Sequence, residues 1–339
     1  VVGMVAQDRL LEENAALVAL LTTIDEHRDT WSSVANTVAR QGSAVAVLDH
    51  EMDPVHHHLI DDDPLYDGDP ALFDEDDVPP TAERRHALDK ALQSARREVQ
   101  EWHGRDLDFV SVLDGRYPNR LRQIADMPPF LFADGAMVQD ELAVSVVGSR
   151  EASSEALGFA RDTASMLVAC RFAVIAGLAA GIDTAAHEQA LAEDGRTVAF
   201  IGTGITRQYP RQNEALQREI ARRGLVLSQF WPDQGPTKTT FPMRNASMSG
   251  YGIATVVVEA NEYSGTRIQA RQAQQHGRPV ILRDTVAAST EWGRRLAGRP
   301  GVYVASTVSQ VHDILLRLLH LGDELDHAID QLVSSTATA

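Results

Sequence analysis

From residue 142 onward the chain alternates between two kinds of segment. Apolar, β-branched runs occur at 142–149 (LAVSVVGS), 171–177 (RFAVIAG), 196–204 (RTVAFIGTG), 224–230 (GLVLSQF), 253–260 (IATVVVEA), 278–284 (RPVILRD) and 301–306 (GVYVAS). Helix-like stretches separate or follow them, and the spacing predicts helices over 154–169, 182–193, 211–223, 242–250, 265–276, 289–297 and 307–321. Continuous apolar strands with helices between them require a parallel sheet covered on both faces, an α/β fold. Right-handed crossovers then bring all the strand C-termini to one edge. Ligands of such sheets bind at that edge, beside a topological switch point.

The glycines fall on that edge. Gly148 and Ser149 end the first strand, and Gly177 and Gly181 bracket the turn into the next helix. Gly202 and Gly204 follow the third strand, and Ser264, Gly265 and Thr266 precede the helix after the fifth. Glycine lets backbone N–H groups approach an anion, and a helix N-terminus adds partial positive charge, so these turns predict phosphate-binding loops. None matches G-x-G-x-x-G or the Walker pattern, which argues against a dinucleotide or P-loop site. His187 falls mid-helix and reads as a packing and hydrogen-bonding residue, and Asp183 reads as a residue that caps a helix or orders the loop. No carboxylate pair is placed for acid–base work, so no catalytic residue and no cofactor is assigned.

The first half reads differently. Helical apolar spacing runs through 8–49, with Thr30 as an N-cap and Gly42 as a stop, and a further helix is predicted over 81–103. Between them, residues 51–77 carry eleven acids and no Lys or Arg. That composition predicts a solvated loop. It also explains most of the net charge of −17, because the rest of the chain carries only −6. An acidic total therefore does not exclude a polyanion-binding face. His56–His58 are consecutive, cannot all face one ion in a regular element, and predict no metal site. The single cysteine, Cys170, allows no intrachain disulfide. The longest run without Asp, Glu, Lys or Arg, Asn245–Val258, is too short to span a bilayer, and the chain reads as cytoplasmic with no membrane partner.

One stretch stands out on residue usage. The chain has two lysines, Lys90 and Lys238, against 29 arginines. Lys238 stands three residues before the aromatic Phe241 in FPMRNASMSG (241–250). Together with VSVVGSREAS, AGLAAGIDTAAHEQAL, GTGITRQYPRQNEAL, VVVEANEYSGT and the upstream LDGRYPNRLRQIADMPPFLFADG, this stretch resembles the DNA-processing protein A (DprA/Smf) family over about residues 106–283. The resemblance implies an extended Rossmann-like domain over 106–322; composition and periodicity put a helical region (1–50), an acidic loop or linker (51–80) foreign to the family and a connecting helix (81–105) before it, and a tail (323–339) after it. It implies single-stranded DNA as ligand, a homodimer, and service in transformation or recombination with loading of a RecA-type recombinase. It places Arg150, Lys238 and Phe241 in the DNA pocket, with Arg244 and Asn245 adding a phosphate contact and a loop brace. Departures from the family pattern mark a divergent member. Ala246 stands where an arginine is common, Gln229 where a glutamate is, Ala176 where a serine is, and Arg283-Asp284 where proline-glycine is. Two other readings stay open. One is a nucleotide sensor, in a defence system among other settings. The other is a nucleotide hydrolase like the LOG enzymes, although YSGTRIQA replaces their signature turn.

Overall fold

The computed structural model describes residues 2–24, 30–52 and 82–321. The triplet His56–His58, most of the acidic stretch and the tail 323–339 lie outside the described residues. The chain divides into two compact units, one formed by 1–117 with 127–131, the other by 118–126 with 132–339.

In the first unit, α1 (Val2–Thr22), α2 (Trp31–Gln41), α3 (Ala44–Met52) and α4 (Ala82–Gly104) precede β1 (Asp108–Ser111). Thr30 closes a reciprocal capping box with Ser33, and Gly42 ends α2 in the left-handed conformation at φ 70°. The N-terminus of α3 is capped from a distance. The Glu13 carboxylate accepts from Ala44 N (2.7 Å) and Val45 N (3.1 Å), which explains why this glutamate is buried. Phe109 packs against Trp102 and Phe130, and Phe130 against Trp31.

The second unit carries the alternating segments. They form β3 (Ala143–Gly148), α5 (Ser154–Ala169), β4 (Ala173–Ala176), α6 (Ile182–Ala192), β5 (Thr197–Phe200), α7 (Glu214–Arg223), β6 (Leu225–Ser228), α8 (Thr240–Tyr251), β7 (Ala254–Glu259), α9 (Gly265–Gln275), β8 (Val280–Arg283) and β9 (Val302–Ala305). Two short helices, α10 (Asp284–Ser289) and α11 (Glu291–Ala297), fill the β8–β9 crossover. A further helix, α12, covers 308–321. With β2 (Phe130–Gly135), the sheet order is β1-β2-β6-β5-β4-β3-β7-β8-β9. The strands from β3 to β9 pair in parallel, as the apolar runs imply. β2 pairs antiparallel with β6, an addition that the repeating pattern does not contain.

Core residues of β3, β4 and β7 such as Val144, Val146, Val174 and Val256 pack under α5, α6 and α12. Alanines at 156, 160, 164, 185, 186 and 190 let α5 and α6 lie close to the strands. Helix α8 engages other strand positions, where Ser145 Oγ donates to Met248 O and the Phe200 and Tyr251 rings meet edge to face. Strand order reverses at β3, whose neighbours are β4 and β7. A register irregularity between Val147 and Gly148 bends β3 at its C-terminal end. This is the switch point at which an open sheet forms a crevice.

Candidate functional site

A cavity of about 550 Å³ opens at the switch point. The end of β3 supplies Gly148, Ser149 and Arg150. The turn before α9 supplies Ser264, Gly265 and Thr266, and α8 supplies Phe241, Arg244 and Asn245. Asp183 of α6 also lines it. The crossovers thus gather residues that are more than a hundred positions apart.

The floor is a saturated polar cluster. Arg244 is only 5 % exposed. Its Nη1 donates to Gly177 O and to Phe200 O (2.8 Å), and its Nε donates to Asn245 Oδ1 (3.0 Å). A Cβ at Gly177 would lie 1.9 Å from that Nη1, so glycine is required there to let the guanidinium reach the carbonyl. Asp183 accepts from Gly177 N (3.0 Å) and Ala179 N (3.4 Å), which orders the turn into α6. Burial lowers the Arg244 pKa to about 10, against the attraction of Asp183. Burial raises the Asp183 pKa, against the attraction of Arg244 and the two backbone donors. Of the two roles expected from sequence, helix cap or loop organiser, Asp183 takes the second.

The mouth is exposed and unsaturated. The Arg150 guanidinium lies 5.5 Å from the centre of the Phe241 ring, within cation–π range, and donates to no described residue. Phe241 is half-buried, so a face remains accessible, and the Tyr209 ring lies 5.8 Å from it. Tyr209 is 41 % exposed, and the sequence pattern did not single it out. Its signal lies in the stretch GTGITRQYPRQNEAL. Asn213, from the same stretch, was also missed. Its Nδ2 donates to Leu178 O and Thr184 Oγ1, both at 2.9 Å, and braces the turn before α6.

Three helices aim N-termini at this edge without a side-chain cap: α6 after Gly181, α8 after Thr239 and α9 after Ser264. Ile182 N at the start of α6 donates to Ser149 O (3.2 Å), and Thr240 N at the start of α8 donates to Thr237 Oγ1 (3.1 Å), so the end of α9, at Gly265 and Thr266, is the one with its first N–H groups free to meet an anion. By contrast, the Ser153 hydroxyl caps α5 and donates in turn to Glu259. Ser264 Oγ and Gln269 Nε2, on residues lining the cavity, are buried without a hydrogen-bond partner.

The other residues singled out from sequence lie elsewhere. Gly181, at φ 79°, packs where a Cβ would meet Ser149 O at 2.3 Å, and Gly202 packs beneath Phe241. Gly204 lies against the carbonyls of Trp231 and Pro232, away from the cavity lining. Lys238 is exposed on the loop before α8 and does not line the cavity. His187 is fully buried, with Nδ1 2.7 Å from Thr197 Oγ1. No group of His, Cys, Asp and Glu among the described residues is arranged to hold a metal ion.

One arrangement mimics a nucleophilic triad. His276 Nδ1 lies 3.0 Å from Ser249 Oγ, and its Nε2 lies 3.3 Å from Asp126 Oδ2. Ser249 is 1 % exposed and its hydroxyl donates to Ala246 O, so the set braces residues 118–126 against α8 and α9. Among the described residues no helix is long and apolar enough to cross a membrane.

The family model of DNA recombination-mediator protein A matches residues 108–317. The DNA processing protein DprA of Streptococcus pneumoniae is 39 % identical over 174 residues, covering 50 % of this chain and 61 % of that protein. The Smf protein of Synechocystis is 35 % identical over 188 residues, 54 % of this chain and 47 % of the relative. The chain thus spans about half to three fifths of the length of these two relatives. The X-ray structure of the S. pneumoniae protein superposes with a TM-score of 0.61 at 28 % identity, over 80 % of this chain and 96 % of that one. DNA processing protein A of Helicobacter pylori, solved for its single-stranded DNA binding mode, shares the fold at TM-score 0.55 and 22 % identity, over 62 % of this chain and 96 % of that one.

Proposed function

This chain belongs to the DNA recombination-mediator protein A family, and from that premise we propose that its edge cavity binds single-stranded DNA in DNA processing and recombination. The observation that carries the reading is the pairing of an exposed cation with an accessible aromatic face, Arg150 over Phe241, beside the uncapped N-terminus of α9. A phosphate needs the first and third of these features, and an unpaired base needs the second. Arg150 and Lys238 hold phosphates, and Phe241 stacks a base. The backbone around Gly148, Ser149 and Ser264–Thr266 receives an anionic oxygen. Arg244 and Asn245 keep the floor in shape rather than contacting phosphate directly. The role falls to the 106–322 domain, in the cytoplasm, as a homodimer that hands its strand to a RecA-type recombinase.

A free nucleotide is the second reading, favoured by one observation. The cavity volume of about 550 Å³ falls in the range of small-ligand sites. A hydrolase would need a carboxylate free for chemistry; the Asp183 carboxylate is engaged by two backbone donors, so the role would fall to Glu151, the other carboxylate lining the cavity, which is exposed. Fluorescence anisotropy with single-stranded and duplex oligonucleotides, beside a thermal-shift screen of nucleotides, separates these readings. Single strands should bind tighter than duplex, with little sequence preference and with affinity falling as salt rises. Equal affinity for duplex, or stabilisation by a nucleotide alone, would overturn the proposal. Light scattering tests the dimer, and a monomer at all accessible concentrations would remove that part.

A further inference from the structure

Helix α9 contributes to a second concavity as well. On its other flank, Arg267, Arg271, Gln274 and Gln275 line a groove of about 370 Å³ whose far wall is Trp292, Arg295, Leu296 and Arg299. Four guanidiniums thus converge from α9, α11 and the turn that follows, and no carboxylate is among the lining residues. Only Arg295 forms an ion pair, with Glu291 of its own helix at 3.3 Å, both side chains being 66 % exposed. Arg299 has a marginal bond to Gln274 Oε1 at 3.5 Å. Arg267 and Arg271, one helical turn apart, donate to no described residue. Like charges at that spacing repel and weaken a helix. A chain with a net charge of −17 has ample acid to neutralise such a cluster, yet none lies in this groove.

Resting on the reading above, we propose that the α9–α11 groove is a second phosphate-backbone site, and that it carries the strand onward from the edge cavity. Continuity favours this occupant. The first turn of α9 (Gly265, Thr266, Ile268, Gln269) lines the cavity, and the rows starting at Arg267 line the groove. A strand leaving one passes along about 16 Å of helix into the other. Between β7 and α9 stands Tyr263, 93 % exposed, an aromatic face without a packing role in this chain. Guanidiniums that grip phosphates, with an exposed ring in the turn before the same helix, suit a single strand better than an acidic peptide, which has no base to stack.

The test uses the full chain with poly-dT of two lengths, about 4 and about 16 nucleotides. Arg267→Ala/Arg271→Ala and Arg295→Ala/Arg299→Ala should each weaken the long oligonucleotide by about ten-fold, with the log–log salt slope falling by about 0.7 for every phosphate no longer neutralised. The short oligonucleotide should bind both variants as it binds the parent. Tyr263→Ala should weaken only the long one and leave its salt slope unchanged. Equal losses at both lengths, or no loss at either, would overturn the groove while leaving the edge cavity intact. A parent protein that binds neither length would overturn the underlying reading instead. A poly-glutamate probe that binds the parent but not the arginine variants, with long-oligonucleotide affinity unchanged, would assign the groove to an acidic protein surface.

Discussion

The mouth and the floor of the edge cavity each contain an arginine near the same ring. Arg150 lies 5.5 Å and Arg244 5.9 Å from the centre of Phe241. Their surroundings oppose each other. Arg150 is exposed and donates to no described residue, while Arg244 is 5 % exposed and donates to two carbonyls and one amide oxygen. A buried guanidinium must be fully hydrogen-bonded, or its desolvation is not offset. Arg244 therefore cannot leave its partners to follow a ligand. Arg150 has nothing to give up and can reorient onto a phosphate. Two residues of one type, both beside one ring, divide into scaffold and contact because of burial alone.

The largest test of that division is Arg244→Ala. It strips the carbonyls of Gly177 and Phe200 of their donor and opens a void, at a cost of about 3–5 kcal/mol of folding stability. Arg150→Ala should leave stability within about 0.5 kcal/mol. Urea denaturation of both variants decides the matter. An Arg244→Ala protein as stable as its parent would mean the floor is not structural, and the contrast would collapse.

The second test is pH, read again at the floor. His187 of α6 is fully buried, and burial, with the nearby Arg244 charge adding to it, lowers its pKa to about 3. An unfolded histidine titrates near 6.5. Between these values the unfolded chain binds a proton that the folded chain refuses. Stability is therefore fully present above pH 6.5 and is lost as pH falls towards 3. The slope approaches about 1.4 kcal/mol per pH unit. His187→Gln should flatten that slope in a series of denaturation curves, whatever its effect on absolute stability. The mouth has no comparable buried base, so ligand-site variants should keep the parent slope.

This division shows where sequence reading succeeds and where it stops. Period and apolarity set the helix at 154–169 and placed all seven parallel strands, because those signals are local. They passed over β1, β2 and the six-residue α10. β2 follows two prolines and gains its partner β6 only from the tertiary fold, with the opposite direction. The glycine turns could be assigned to the ligand edge, but not sorted. Gly148 lines the cavity, whereas Gly177, Gly202 and Gly204 make room for Arg244, Phe241 and a carbonyl pair. Arg244 looked as available as Arg150 because two of its three acceptors are main-chain oxygens at the ends of β4 and β5, which carry no residue signature. Lys238 drew notice for its rarity, and the structure leaves it on an exposed loop outside the cavity lining.

A third test separates the ring from both arginines. Phe241 is half-buried, with Gly202 beneath it and the Tyr209 ring beside it. Phe241→Ala should weaken single-stranded DNA binding by about 1–3 kcal/mol, with the salt slope nearly unchanged, because stacking releases few ions. Its melting should shift less than that of Arg244→Ala. If it melts as low as Arg244→Ala while its folded fraction binds normally, Phe241 belongs to the floor.

The smallest effect sharpens the mouth itself. Arg150 lines the cavity and Lys238 does not, yet both are exposed cations on loops at the same end of α8 and β3. If each neutralises one phosphate, each alanine variant should lower the log–log salt slope by about 0.7, the value for one phosphate on a single strand. The combined variant should lower it by twice that, since separate phosphates release separate counterions. Should Lys238 act only through the long-range field, its removal would lower affinity at low salt without subtracting a full phosphate from the slope. The combined variant would then match Arg150→Ala at high salt, where screening confines charge effects to close pairs. Anisotropy titrations across a salt series on the three proteins distinguish these outcomes. A slope that Arg150→Ala leaves untouched would remove Arg150 from the phosphate path and leave the uncapped end of α9 as the anion site.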